Sequence, residues 1–384
     1  MDRLIEQLPF FTPELRTLAA NIRSFAEREI EPRAVAEGDV DARLREYVTV
    51  LAQAGTLQYA VAMPGKKLDV RALCLVREAL AYFSALADLG FVMQGLGTYA
   101  ISQAAPEHVR DFWLSRALEG RAVAAFALTE PDAGSDVAAI KTTATRDGDA
   151  YVIEGRKRFI SNAGVADFYT VFARTGTDAN NRAALSAFIV GAKMPGFNVV
   201  ERTAMIADHP IGEIEFKGCR VPAEDMVGAE GDGFVLAMRT MDTFRASVGA
   251  AACGMARRAL DEAVRYATTR KQFGRLLAEH QLIQEKLADM VTELDAARLL
   301  VYRAAHLKDT GGARVTREAS EAKLYATEAA CRIIDSAVQI HGGSGLVRGS
   351  VVERLYRDVR ALRIYEGTSE IQKIVIANQL LKER

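Results

Sequence analysis

The chain has 384 residues, more than one hydrophobic core usually serves, so two or three domains are expected. With 49% hydrophobic and 26% charged residues and a net charge of −1, it reads as an ordinary soluble globular protein, with no global pull toward nucleic acid or anionic membrane. Cys74, Cys219, Cys253 and Cys331 lie far apart at no metal or redox spacing and read as buried reduced thiols of a reducing compartment.

The N-terminal stretch MDRLIEQLPFFTPELRTLAANIRSF mixes acids with bases and lacks the apolar core of a signal peptide. No apolar run approaches the ~20 residues of a spanning helix. A cytoplasmic enzyme is the expectation, and a removed organelle presequence is compatible with it. Residues 1–118 read as an N-terminal helical domain. Thr12 is placed as an N-cap with Pro13 at the first helical position, and Leu15, Leu18, Ala19, Ile22 and Phe25 recur at helical spacing. The stretches around 70–89 and 105–118 also read as helices, and MPGKK is a break.

Residues 119–228 change character. AYVIEG, FYTVFAR, LSAFIV, FNVVE and EIEF are short β-branched and aromatic runs. Turn chemistry separates them at Asp147-Gly148, Thr175–Asp178 and Pro195-Gly196, which predicts a small antiparallel β-sandwich or barrel. From 229 to 384 the pattern is helical again, with long helices near 232–269, 278–309 and 316–341. In the third, Leu324, Cys331, Ile334 and Val338 mark a core face, and Gly342-Gly343 stops it. The small-residue run ASVGAAACGMA suits a helix bundle that packs against copies of itself. The whole is a multidomain α+β chain.

Several stretches carry chemistry. LTEPDAGSD (128–136) reads either as a loop entering the sheet or as a cradle of backbone amides with Thr129 and Ser135 for a polar ring or anion. GGSGLVRG (342–349) follows a helix, not a strand, so it fails the context of a dinucleotide fingerprint and reads as a helix stop. TTRKQFG (268–274) ends a helix with basic residues, which complement the helix dipole or meet a phosphate. His108, His209, His280, His306 and His341 are scattered, so no metal site is expected. In IYEGTSEIQ (364–372), Ser369 and Gln372 form a capping box that starts the last helix near Glu370. Glu366 thus stands on a linker before a helix N-terminus. The helix end favours its ionised form and an apolar pocket would raise its pKa, a competition able to tune a general base.

FALTEPDAGSD, RFISNAG, RKQFG, QIHGGSG and RLYRDVRALRIYEGTSEIQ occur in this order, and together they resemble the acyl-CoA dehydrogenase family of FAD flavoproteins over nearly the whole chain. The resemblance implies that family's fold: an N-terminal helical domain, a central β domain and a C-terminal four-helix bundle. It implies α,β-dehydrogenation of an acyl-CoA to the trans-2-enoyl-CoA, with Glu366 as α-proton base and flavin N5 as hydride acceptor. Electrons would pass to an electron-transferring flavoprotein. By the same likeness, the Glu366 N–H and a ribityl hydroxyl polarise the thioester, and Gly367 admits the substrate. Phe126, Leu128, Thr129, Gly134 and Ser135 correspond to the flavin-binding segment. Phe159, Ile160 and Ser161 lie beside the flavin, with Ser161 near N5. Arg270, Gln272, Phe273, His280, Gln281, Gln339, His341, Gly342 and Gly343 resemble the part that holds a neighbouring subunit's FAD, so a homotetramer is implied. Thr368 and Glu370 return to the cofactor. Ser135, Asp242, Phe244 and Arg245 are the substrate-side positions, with Arg245 toward CoA.

There are departures. AVAMPGKKLDV replaces a Tyr-Gly-Gly-type stretch, Phe244 stands where some relatives carry an alternative catalytic glutamate, and Val92 aligns with the arginine of decarboxylating glutaryl-type relatives. Glu366 is left as the sole candidate base. An acyl-CoA oxidase and a catalytically inactive scaffold of the same fold are the alternative readings.

Overall fold

The structure is a computed structural model that describes residues 2–34, 38–177, 183–311 and 315–382. The helices of the first part are α1 (Arg3–Gln7), α2 (Pro13–Phe25), α3 (Glu31–Ala34), α4 (Val40–Gln53), α5 (Val70–Phe83), α6 (Ala85–Ala104) and α7 (Glu107–Leu118). Strands follow: β1 (Ala124–Ala127), β2 (Thr143–Asp147), β3 (Ala150–Ser161), β4 (Phe168–Thr177), β5 (Ala183–Gly191), β6 (Phe197–Arg202), β7 (Ile211–Pro222) and β8 (Met226–Val227). The last part holds α8 (Gly233–Ala267), a hairpin of β9 (Lys271–Gln272) and β10 (Arg275–Leu276), then α9 (Gln281–Thr310), α10 (Thr316–His341), α11 (Val351–Val359) and α12 (Ser369–Lys382). Asp178, the last residue of the turn expected after Thr175, lies outside the described residues.

Two compact units emerge, one of Met1–Glu37, Asp69–Asp88 and Phe244–Arg384, the other of Gly38–Leu68 and Leu89–Thr243. The N-terminal helices are therefore divided between them. Thr12 caps α2 as expected, accepting from Leu15 N–H at 3.4 Å. Among the helices that escaped the sequence reading, α4 is capped by Asp39, and α6 carries three glycines and a threonine in its interior that weaken the propensity signal.

In the sheet unit the strand order is β6-β7-β3-β2-β4-β5-β8, with β1 attached to β4. Pairing is antiparallel except at β1–β4 and β2–β4, which run parallel. The long connections from β1 and β2 to β4 permit this, since parallel neighbours need a crossover. Phe168, Tyr169, Val171 and Phe172 of β4 are all buried, so the strand's first half is covered on both faces. Buried Gln94 stitches the helices to the sheet: its Nε2 donates to the Ala117 and Ala122 carbonyls, and its Oε1 accepts from Ala124 N–H at 2.8 Å. One amide thus satisfies three backbone groups that burial would otherwise strand.

The helical unit packs α5, the residues of α8 from Phe244 onward, α9 and α10 around small side chains. A Cβ on Gly249 would lie 2.7 Å from Val301 and 3.2 Å from Ala326, and one on Gly254 would meet the Glu78 carbonyl at 2.2 Å. The small-residue run is therefore the surface on which neighbouring helix backbones approach. α10 shows the same economy: half of its buried positions are alanines, beside Ser320, Lys323, Thr327, Ile333, Ile334 and Ile340. Of the expected core face only Ile334 is buried, while Leu324, Cys331 and Val338 are half-buried. α10 contacts α9, α11 and α12, and close approach on several sides selects small residues over large ones. Glu78 on α5 pairs with Arg298 on α9 at 2.9 Å and accepts from Tyr302 Oη at 2.5 Å, which pays for its burial. Among the described residues no helix is long and apolar enough to cross a membrane, and no cluster of His, Cys, Asp and Glu has the arrangement to hold a metal ion. Cys74, Cys219 and Cys253 are buried free thiols and Cys331 is half-buried.

Gly254→Ala should lower stability by about 1–3 kcal/mol through overpacking against the α5 backbone. Gly176→Ala, whose Cβ meets nothing, is the control, and thermal denaturation of the two measures the difference.

Candidate active site

The sheet unit places Leu128–Asp136 and Phe159–Ser161 side by side. The loop is shaped by a tight turn in which Glu130 and Ala133 exchange backbone hydrogen bonds of 3.0 and 3.2 Å. Lys157, fully buried on β3, then clamps it: Nζ donates to the Leu128 carbonyl at 3.1 Å and pairs with Glu130 Oε1 at 2.8 Å. Glu130 also accepts from Lys141 and Thr142 N–H groups, at 2.6 and 3.0 Å. Burial works against the Glu130 charge, but Lys157 and the N–H groups prevail and hold its pKa below the usual carboxylate range. Arg158 N–H donates to the Thr129 carbonyl at 2.9 Å. With the 128 and 129 carbonyls committed, the loop offers a ligand N–H donors and the Thr129 hydroxyl.

The facing segment is strained. Phe159 (φ 54°) and Asn162 (φ 64°) both take the left-handed region, which costs a non-glycine residue about 1 kcal/mol or more. β3 bulges against β7 between Lys157 and Ile160, which turns Phe159 out to 50% exposure and leaves Ile160 buried. Of the residues expected to meet a flavin, Phe126 is half-buried and its ring packs on Phe172, and Leu128 lies in the core cluster, so Leu128 can present only backbone. Thr129 and Ser161 are half-buried, and Gly134 and Ser135 exposed. An exposed aromatic beside a row of donors suits a planar ring with an acceptor-rich edge, and the residues present therefore fit a flavin.

The helical unit holds the carboxylate. Glu366 has φ 53°, and Gly367 follows at φ 90°, where a Cβ would strike Gln372 Nε2 at 2.5 Å. Gln372, fully buried, donates to the carbonyls of Glu366 (3.2 Å) and Gly367 (3.0 Å), and buried Lys323 on α10 donates to the Gly367 carbonyl at 2.8 Å. The expected capping box is not formed. Thr368 is the N-cap, its Oγ1 accepting from Ile371 N–H at 3.3 Å, while Ser369 donates to Glu328 at 2.6 Å. Gln372 is released from capping because its amide reaches past the cap to the strained turn.

Glu366 is half-buried, and its Oε2 is out of water with no hydrogen-bond partner among the described residues. Charges surround it. Arg77 on α5 is buried and gripped by Asp88, Nε to Oδ1 at 2.8 Å and Nη2 to Oδ2 at 2.7 Å, with Nη1 donating to Ser247 at 3.0 Å. Burial raises the Glu366 pKa, Arg77, Lys323 and Arg245 act to lower it, Asp88 adds to the rise, and the net shift is upward. Lys323 is pushed down to about 8 by burial. Phe244 and Arg245 are both buried in this unit, whereas Asp242, in the sheet unit, is half-buried.

The other expected cofactor positions of the helical unit form an open surface. Arg270, Gln272, Phe273, Gln281, Gln339, Gly342, Gly343 and Glu370 are exposed, and His280, His341 and Thr368 are half-buried. TTRKQFG does not merely end a helix: it forms the β9–β10 hairpin, whose turn holds Phe273 at φ 53° and Gly274 at φ 79° and leaves the phenyl ring 93% exposed. Gly342 (φ 57°) ends α10 as expected, and a Cβ there or on Gly343 would meet nothing.

Comparisons with known proteins show the family and the fold. Residues 12–121, 125–219 and 231–381 match the N-terminal, middle and C-terminal domains of acyl-CoA dehydrogenase. The chain is 41% identical to the 3-(aryl)acrylate reductase of Clostridium sporogenes, over 97% of this chain and 100% of that one. It is 39% identical to the cyclohexane-1-carbonyl-CoA dehydrogenase of Geobacter metallireducens, covering 96% and 98%. The butyryl-CoA dehydrogenase structure from Megasphaera elsdenii superposes with a TM-score of 0.88 at 34% identity, covering 97% and 99%. The chain belongs to the acyl-CoA dehydrogenase family, FAD-binding oxidoreductases with helical N- and C-terminal domains and a mostly antiparallel sheet in the middle domain.

Sequence reasoning did not single out Arg77, Asp88, Lys157, Glu130 or Lys323. A signal existed for Arg77, a cation inside the apolar run LCLVREALAYF, where a helix buried nearly all round offers its charge no route to water. The double variant Arg77→Met with Asp88→Leu removes the pair without leaving a lone buried carboxylate. Because Arg77 lowers the Glu366 pKa more than Asp88 raises it, ionisation of Glu366 should move to higher pH. With Glu366 as the base that the sequence leads one to expect, the pH profile of flavin reduction by substrate measures this, and a shift to lower pH would contradict it.

Proposed function

We propose that this protein catalyses α,β-dehydrogenation of an acyl-CoA thioester, with Glu366 as the base that removes the α-proton. The observation that carries the reading is the unpartnered, buried Oε2 of a carboxylate whose backbone is locked and whose pKa is raised. An oxygen without a hydrogen-bond donor keeps its basicity for an incoming proton, and a pKa nearer neutrality suits general-base work. The cations Arg77, Lys323 and Arg245 keep that base charged enough to act. The N–H of Glu366 is the chain's proposed donor to the thioester carbonyl, where enolate charge develops as the proton leaves. FAD, when bound, supplies the acceptor for the β-hydride. Thr129, Phe159 and Ser161 with the Leu128–Ser135 backbone would hold its ring.

Proton transfer is reversible, so the same carboxyl group in its acid form protonates the α-carbon of an enoyl thioester if electrons arrive from a donor. The family resemblance assigns the electron exchange to an electron-transferring flavoprotein. Exposed Phe273 (93%), Leu282 (74%), Leu346 (74%) and Val347 (60%) support a homotetramer in which this surface is covered and the Arg270–Gln281 and Gln339–Gly343 segments hold a neighbouring subunit's FAD.

Glu366→Gln should purify yellow and bind acyl-CoA, yet reduce its flavin at least about 10³-fold more slowly, the scale of losing a positioned base. Stopped-flow bleaching under anaerobic conditions measures it, and near-wild-type bleaching would place the base elsewhere. Arg270→Ala should retain less FAD through gel filtration and shift the protein toward smaller assemblies. Full retention would count against cofactor sharing across subunits.

A further inference from the structure

Ser161 has a partner that the reaction above does not require. His209 Nε2 lies 2.8 Å from Ser161 Oγ. The backbone builds this contact. Ser161 pairs with Ile211 in the β3–β7 ladder, Asn162 N–H donates to the Pro210 carbonyl at 2.7 Å, and Thr203 N–H donates to the Ile211 carbonyl at 2.9 Å. Gly212 lets the segment close, since a Cβ there would lie 2.2 Å from the Glu201 carbonyl. The imidazole is thus delivered to the strand end by register, two residues ahead of the Ser161 pairing partner.

Desolvation alone drives the His209 pKa down to about 4, so its ring is neutral at working pH. A neutral imidazole carries one N–H and one bare nitrogen, and a hydroxyl carries one hydrogen. The bare nitrogen is a far stronger base than an alcohol oxygen, so the preferred arrangement has Ser161 O–H donating to Nε2. Its oxygen then faces any third group only as an acceptor. On the functional reading above, on which this inference rests, that third group is the flavin nitrogen that gains a hydrogen on reduction. An acceptor opposite it opposes the oxidised ring, whose nitrogen is also an acceptor, and favours the reduced ring, whose nitrogen donates.

We propose that His209 is a positioning residue that holds Ser161 as a hydrogen-bond acceptor and so raises the reduction potential of the bound flavin.

The test is the midpoint potential of the FAD-loaded enzyme, by dye equilibration, in a cycle of His209→Leu, Ser161→Ala and the double variant. His209→Leu frees the Ser161 hydroxyl to donate to the oxidised ring. The potential should fall by the worth of about one hydrogen bond, roughly a tenfold change in the oxidised-to-reduced ratio, or ~30 mV for a two-electron couple. In the Ser161→Ala background the same substitution should leave the potential unchanged. An unchanged or raised potential in His209→Leu, or an equal fall in both backgrounds, overturns the proposal. If Ser161→Ala alone changes neither potential nor flavin absorption spectrum, the placement of Ser161 at the ring fails instead, and the two failures are distinct. His209→Asn, a smaller polar side chain able to accept, should restore part of the potential if the hydrogen bond and not ring packing is responsible.

Discussion

The structure turns on the two-residue bend at Glu366 and Gly367. A glutamate in left-handed backbone is unfavourable by about 1–3 kcal/mol, and it persists only where its surroundings over-determine it. Here a buried amide and a buried ammonium take the two carbonyls of the bend, Gln372 both and Lys323 one. Relaxing the bend would leave those donors without partners in the interior, which is costlier than the strain. The orientation of the carboxylate is therefore a property of α10 and α12, not of the linker that carries it.

The sheet unit solves a similar problem with the same residue type. Lys157 holds the Leu128 carbonyl as Lys323 holds that of Gly367, and each lysine is fully buried. Burying an ammonium is expensive unless charge and hydrogen bonds offset it. Glu130 provides the offset for Lys157, and Glu366 contributes one for Lys323. In both units an interior cation converts a flexible loop into a fixed backbone, one beside the proposed flavin-binding segment and one beside the proposed base. The bundle supplies the rigidity this needs. Its glycines and alanines bring α5, α8, α9 and α10 so close that backbone atoms nearly touch, so Arg77 on α5, Ser247 on α8 and Lys323 on α10 occupy defined positions.

Much of this was legible in the residues. Block order, the three long C-terminal helices, the Thr12 cap, the strand runs and the family motifs all depend on local pattern, and each motif keeps its spacing because its neighbours in sequence are its neighbours in space. The failures are of another kind. Ser369 and Gln372 have the spacing of a capping box, but Glu328 on α10 takes the serine and the strained bend takes the glutamine. Leu324, Cys331 and Val338 have the hydrophobicity of a core face, but α10 is enclosed on several sides and most of its buried positions fall to Ala, Ser and Thr.

The sequence by itself determined the class of protein, the order of its domains and the identity of its one candidate base, because periodicity, turn chemistry and motif order are written along the chain. Only the tertiary structure decided what state that carboxylate is in and what stands behind each functional residue. The Arg77–Asp88 pair, separated by eleven residues, the Lys323–Gly367 contact across forty-four and the Ser161–His209 contact across forty-eight are made by packing. Burial and charge at a site are sums over residues that no local window contains.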